Sequence, residues 1–255
     1  MLERFDMRHF STSFLLLAAV LGVGCFQRPM TPPSTASLLT TAETLAEGEV
    51  AVGLNGGAHG AVFGPAVATA GGRLRYGASD DLELVVDGGA YVLVEDSVAD
   101  EHRGLYTARL GLKYRLHEHF ALAGGLGAGI APAFGFFGGI DGGLVGAYEN
   151  PYVVPFVAGR ISFNGPVNPS EVDTGQPDAD EPGASVAAPA RTLGVSAELG
   201  VRIPLGRRVA SGKRMGNLLG ALVLTHLYDG RGGLIEEADG ITAFGGNFGV
   251  ELVFD

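Results

Sequence analysis

Twelve charged side chains, Arg73, Arg75, Glu83, Asp87, Arg109, Lys113, Arg115, Asp141, Arg160, Glu198, Arg202 and Glu251, sit in stretches that are otherwise apolar, small or glycine-rich. Within a stretch they are spaced by even numbers of residues: 73 and 75, 83 and 87, 109, 113 and 115, 198 and 202. In an extended chain such spacing collects them on one face. Their signs nearly balance, and Glu49 adds one more carboxylate. A tight-turn register sets Arg75 against Glu83, and the next hairpin brings Arg115 toward the same carboxylate. Charges gathered on one face support two chemistries. They can pair into a salt-bridged plug that fills an interior, or they can line a polar path for small ions or solutes. Inward glycines at 125, 127, 143 and 200 leave some space for the second.

Catalysis would need a nucleophile or a water-activating carboxylate within reach of an oriented base. The candidate bases are His59, His102, His117, His119 and His226, and His226 has Thr225 beside it. His117 and His119 belong to a tight turn, and His59 and His102 to loops. No Gly-x-Ser-x-Gly elbow and no His-Glu-x-x-His pair occurs, so no catalytic residue is assigned and an enzyme is not expected. Glu171, Asp173, Asp178, Asp180 and Glu181 crowd one segment, but they do not follow the ligand ladder of a calcium loop. They are expected to be a solvated acidic loop. A second charged cluster, Arg207, Arg208, Lys213 and Arg214, is expected to be solvated too. A lone cysteine cannot build a multi-thiolate metal site or an internal disulfide. No metal and no cofactor are expected.

The elements that must position these charges are strands. Ala243 to Phe254 sets Phe244, Phe248, Val250, Leu252 and Phe254 on one face and Gly245, Asn247, Gly249 and Glu251 on the other. The same alternation recurs over about ten segments, with 8–12 as the range: 48–57, 66–77, 81–95, 104–116, 119–130, 137–148, 151–163, 191–205, 217–228 and 241–254. The second, fourth and sixth connections are tight turns. The third, fifth, seventh and ninth are longer, and 164–190 is the longest. Tyr76, Tyr114, Phe120, Tyr148, Tyr152 and Phe254 fall within a few residues of the tight turns, and Phe163, Tyr106 and Phe137 could serve the opposite rim. Short and long connections in alternation, with aromatics near one rim, suit an up-and-down barrel crossing a bilayer.

Composition agrees. The mean hydropathy is +0.25, yet beyond residue 23 no run approaches the roughly 18 apolar residues of a spanning helix. Forty-two glycines are costly in helices. A net charge of −11 argues against a nucleic-acid partner, which needs a basic face. At the amino terminus, Arg4, Arg8 and His9 precede an apolar core, Phe14 to Leu21, and small residues lead to Cys25. This is the layout of a signal peptide over 1–24.

Two resemblances follow from these residues. Leu-Gly-Val-Gly-Cys, ending at Cys25, resembles a lipoprotein lipobox, which implies acylation of Cys25; an ordinary signal peptide with a cysteine near its cut site is the other reading. Residues 25–47 then read as a tether, Pro/Ser/Thr-rich at first. The Gly-Arg-Leu-Arg-Tyr-Gly, turn, Leu-Glu-Leu unit at 72–84, with the near-terminal Phe254, makes residues 48–255 resemble a small bacterial outer-membrane β-barrel. That resemblance implies an all-β fold, a transmembrane antiparallel up-and-down barrel. It further implies outer-membrane lipid and lipopolysaccharide as surroundings, barrel-assembly machinery as a partner, and both termini at the periplasmic, short-turn side. The role it implies is structural or envelope-associated, with a narrow channel for small ions or solutes and a lipid-modifying enzyme as alternatives.

Overall fold

The computed structural model describes residues 30–61, 66–94, 104–131, 135–169, 172–178, 181–187, 190–207, 214–229 and 240–254. Residues 1–29, with the expected signal peptide and Cys25, and His102 lie outside that set. Ten strands form a closed barrel in which each pairs antiparallel with its neighbours: β1 (Val50–Ala61), β2 (Ala66–Gly77), β3 (Leu82–Val94), β4 (Gly104–His117), β5 (Phe120–Ala131), β6 (Gly135–Ala147), β7 (Val154–Pro169), β10 (Thr192–Arg207), β11 (Arg214–Asp229) and β12 (Gly240–Phe254). β12 closes the ring on β1, with Val50 opposite Phe254 and Ala61 opposite Ala243. Between β7 and β10 the chain makes a separate hairpin, β8 (Val172–Asp178) and β9 (Glu181–Ala187). The segment expected as a plain acidic loop therefore carries Asp173, Asp178 and Glu181 on paired strands.

Alternation sets the two faces. Along β4 every second residue from Tyr106 to Leu116 is exposed, while Thr107, Arg109, Gly111 and Lys113 are buried. Leu110 is 59% exposed and Leu126 64%, and the same holds for large apolar residues around the whole outer wall. An apolar wall this continuous is the outside of a barrel solvated by hydrocarbon. The closed ring leaves no unpaired strand edge in the bilayer. No helix among the described residues is long and apolar enough to span a membrane.

The two rims differ, though less than the sequence suggests. Connections 78–81, 118–119, 148–153 and 208–213 lie at one end, termed the short-turn rim. The other end, the long-loop rim, carries 95–103, the hairpin excursion and 230–239. It also carries 62–65 and 132–134, which are as brief as the turns opposite because β1, β5 and β6 run further than their hydrophobic pattern indicates. The fifth connection is thus short where a longer one was expected. Tyr76, Tyr114, Phe120, Tyr148, Tyr152 and Phe254 are all exposed near the short-turn rim. Tyr106 and Phe163 are exposed toward the opposite rim, but Phe137 is buried and faces the lumen. Its parity with Asp141, an even number of residues away, puts it inside, next to a register shift between Phe136 and Phe137. Phe136 takes the exposed place.

Leu110→Arg tests the apolar wall. Leu110 lies mid-strand, paired to Val86 and Leu126, so the arginine is expected to lower the unfolding free energy in lipid vesicles by about 2–4 kcal/mol. A change within roughly 0.5 kcal/mol, as at a watery surface, would rule out a lipid-facing position. Urea unfolding followed by gel mobility of unboiled protein provides the measurement.

Candidate functional site

The lumen holds more than wall side chains. Residues 31–47 run through it from rim to rim, and most of this strap is buried: Thr31, Ser34, Ser37, Leu38, Leu39, Thr40, Thr41, Ala42, Thr44 and Leu45. At the long-loop rim Thr31 donates Oγ1 to the carbonyl of Ala190 at 2.6 Å, and Thr192 donates Oγ1 to the carbonyl of Thr31 at 2.7 Å. At the short-turn rim Thr44 donates to the carbonyl of Asp80 at 2.5 Å. There the strap turns through Gly48, whose φ of +83° suits glycine, and enters β1. The described part of the segment expected as a tether is instead an internal strap, and the described chain begins and ends at opposite rims.

The wall charges meet the strap level by level. Nearest the short turns, Arg202 pairs with Glu43 of the strap at 2.7 Å and with Glu149 of the turn after β6. One layer in, Arg75 makes a two-pronged bond to Glu83, both contacts 2.7 Å, and reaches Glu251 at 2.7 Å. Glu251 also accepts from Asn217 at 2.7 Å, and Lys113 stands 3.3 Å from Glu83. Glu83 lies diagonal to Arg75 rather than opposite, since the register pairs it with Gly77 and Lys113. Lys113 therefore takes the place beside Glu83 that was expected for Arg115, and Arg115 pairs with Asp81 at 2.8 Å on the rim. Deeper still, Asp87 links Arg73 at 2.5 Å to Arg109 at 3.2 Å, and Arg109 grips Asp141 through two 2.7 Å bonds.

Several of these groups spend their remaining valence on the strap backbone. Glu198 accepts from Ser37 Oγ at 2.8 Å, Leu38 N at 2.7 Å and Leu39 N at 3.3 Å. Arg73 donates to the carbonyls of Leu38 and Leu39. Lys113 donates to Thr40 Oγ1 at 3.1 Å and to the carbonyls of Thr41 and Glu43 at 3.4 and 2.7 Å. Glu83 accepts from Leu45 N at 3.1 Å. Arg160 reaches the carbonyl of Ala36 and Ser196 Oγ, both at 3.5 Å. These bonds do for the strap what a neighbouring strand does in a sheet, satisfying backbone groups that would otherwise be buried bare. They also hold Leu39 at φ +40°, a left-handed backbone that costs a leucine about 1–2 kcal/mol.

Apolar patches lie between these charges. Leu39 and Ala42 pack with Ala121, Ala147, Val154, Phe156, Leu219 and Ala221, Leu38 with Val145 and Ala158, and Leu45 with Ala51 and Val253. The strap is therefore held between charges on β2–β4 and charges on β7 and β10, with apolar contacts from β1, β5–β7, β11 and β12 filling the spaces between them. Glycine makes the fit close: a Cβ on Gly127 would stand 2.1 Å from the Cβ of Ser34, and one on Gly77 2.0 Å from the carbonyl oxygen of Ala46. The space over Gly127 is thus taken by the strap, while Arg109 lies over Gly125, Arg160 beside Gly143 and Phe156 over Gly200. Beside it remain cavities of about 40 and 20 Å³, room for a water molecule or two. A vestibule of about 870 Å³ opens at the short-turn rim, between Glu43, Arg115, Glu149, Arg202, Asn217 and Glu251.

Among the described residues the histidines do not assemble a catalytic group. His59 belongs to β1 rather than a loop and faces Asn247 across 3.3 Å. His117 and His119 lie against each other at the short-turn rim, with His119 stacked on Tyr148. His226 meets Thr242 Oγ1 at 2.7 Å and the edge of Tyr228. Thr225 points the other way, to Ser196 at 2.9 Å, because neighbours on a strand face opposite sides. Among the described residues no three His, Cys, Asp or Glu side chains converge as metal ligands. Of the two charged clusters, Arg207 and Arg214 pair across β10 and β11. Glu171, Asp180, Arg208 and Lys213 lie outside the described residues.

No protein-family model matches the chain, and no curated protein does. Among solved structures, Neisserial surface protein A is 14% identical, covering 80% of this chain and 95% of its own, with a TM-score of 0.37. An outer-membrane channel from Pseudomonas putida F1 is 13% identical over 84% and 98%, with a TM-score of 0.41. The β domain of the Bordetella autotransporter BrkA is 11% identical over 80% and 98%, also at 0.41. Likeness this distant adds nothing to the strand pairing itself, on which the barrel stands.

Two variants examine the strap. Met30 and Ala190 form a β-bridge, so Met30→Cys with Ala190→Cys, in a Cys25→Ser background, is expected to form an internal disulfide; free thiols under oxidising conditions would place Met30 elsewhere. Glu198→Ala removes three hydrogen bonds to the strap and leaves the Leu38 N–H without its acceptor, and is expected to cost about 3 kcal/mol or more. The strap should then become cleavable by protease while the barrel still resists, and an unchanged digestion pattern would show that Glu198 does not hold it.

Proposed function

We propose that this chain is a bacterial outer-membrane barrel with a structural or envelope-associated role, its lumen closed by its own amino-terminal segment. The observation that carries this reading is the strap, bonded to the wall at every level from Thr31 to Leu45. A general pore needs a continuous water path, and this lumen is filled. The apolar outer wall and aromatic rim support a membrane barrel. The longer connections on one rim support the usual orientation, short turns in the periplasm and long loops outside. In that setting residues 1–24 serve as a signal peptide, Cys25 as an acylation site, and outer-membrane lipid with lipopolysaccharide as the surroundings. Insertion by barrel-assembly machinery belongs to the same reading. A lipid-modifying activity gains no support from the described histidines, each of which has a local partner or lies at a rim.

A second reading, a narrow channel, draws on the vestibule, which already brings water from the short-turn rim as far as Arg75 and Glu251. The strap is what separates it from the other rim. Planar-bilayer recording tests both readings. The intact protein is expected to give no reproducible unitary current, whereas Arg73→Ala/Lys113→Ala/Glu198→Ala, which frees the middle of the strap, is expected to give small, fluctuating openings. Steady conductance from the intact protein would refute the closed lumen.

A further inference from the structure

A strap that crosses the lumen also fixes where the chain before it must emerge. β1 leaves the short-turn rim, where Val50 pairs with Tyr76 and Phe254. The strap feeding it comes from the opposite end: Thr31 is bonded to Ala190 and Thr192, and Met30 bridges Ala190. The direction is set by residues at successive depths, Thr31 at Thr192, Leu38 at Glu198, Thr40 at Lys113, Leu45 at Glu83 and Glu47 at Asp80. The contacts on either side of Ser37–Leu39 use main-chain donors toward Glu198 and main-chain acceptors toward Arg73, so the segment is seated in one place along the lumen.

We infer that the chain preceding Thr31 is delivered through the barrel to the membrane face that carries the long loops, opposite the short turns and the carboxy-terminal end of β12. Covalent reach makes this binding on any group attached upstream. Cys25 is six residues before Thr31, which spans at most about 20 Å when fully extended. The hydrocarbon core is about 30 Å thick, so an acyl group on Cys25 reaches only the leaflet next to the long-loop rim. With the orientation given under Proposed function, on which this inference rests for its naming of sides, that is the outer leaflet. The barrel would then be a conduit that sets its own amino-terminal anchor on the cell surface, and the strap a permanent occupant of that conduit.

Site-directed thiol labelling on intact cells decides it. Single cysteines at Gln27→Cys, Asp173→Cys in the hairpin and Glu118→Cys in the β4–β5 turn are made in a Cys25→Ser background and exposed to a membrane-impermeant maleimide before and after lysis. The expected result is that Gln27→Cys labels in intact cells at the level of Asp173→Cys, while Glu118→Cys labels only after lysis. Gln27→Cys behaving like Glu118→Cys overturns the inference. If Asp173→Cys is silent and Glu118→Cys reactive in intact cells, the orientation is wrong; emergence on the long-loop side is then judged by whether Gln27→Cys is silent with Asp173→Cys or reactive with Glu118→Cys. Because Cys25→Ser could halt export, an epitope inserted after Gln27 in the chain with native Cys25 gives a second readout. Antibody binding to intact cells is expected, and binding only after lysis, with Asp173→Cys reactive beforehand, counts against the proposal.

Discussion

Glu198 receives the backbone N–H groups of Leu38 and Leu39 while Arg73 donates to the carbonyls of the same residues, and the interior of the barrel depends on that exchange. A buried carboxylate without donors would cost several kilocalories per mole, and so would a buried peptide run without partners, at about 1–3 kcal/mol for each bare group. Each meets the other's requirement. Arg73 at the same time holds Asp87, which is shared with Arg109, which holds Asp141. The clamp is therefore continuous with the salt-bridge network of the wall, and removing the strap would leave part of that network facing an empty lumen.

The lumen offers the strap two kinds of contact. Charges from β2, β3 and β4 on one side, and from β7 and β10 on the other, form bonds with direction. Between them Ala121, Val145, Phe156 and Leu219 offer surface without direction. A strap with Ser and Thr among its polar contacts and Leu38, Leu39 and Leu45 against the apolar patches satisfies both. The charges determine its register and the apolar patches supply burial. Small residues let the strap and the wall close up, as where Ser34 lies against Gly127 and Ala46 against Gly77.

Much of this architecture was legible in the chain. Period-two alternation yields all ten barrel strands, the charged inner face and the exposed aromatics near the short turns, because orientation on a strand is a local property of parity. Parity also places Phe137 inside with Asp141 rather than at the long-loop rim. Pairings one hairpin apart depend on register as well as on parity. Arg75 does meet Glu83, but along a diagonal, and Lys113 displaces Arg115 because register, not proximity in sequence, decides which cation stands beside a carboxylate. The strap left a weaker trace. Leu38-Leu39 and Leu45 serve no purpose in a solvated tether, and the inward glycines mark space that something must fill.

What the sequence by itself determined is the wall: a closed antiparallel sheet with hydrocarbon outside and ions inside, since each residue's side is set by its neighbours two positions away. What only the tertiary structure decided is the content of the lumen and the path of the chain that enters it. Leu38 and Glu198 are 160 positions apart and Thr31 and Ala190 159, and no periodicity encodes a contact at that range. A flexible polar segment has no intrinsic partner. It acquires one when ring closure creates an enclosed space whose donors and acceptors match a backbone.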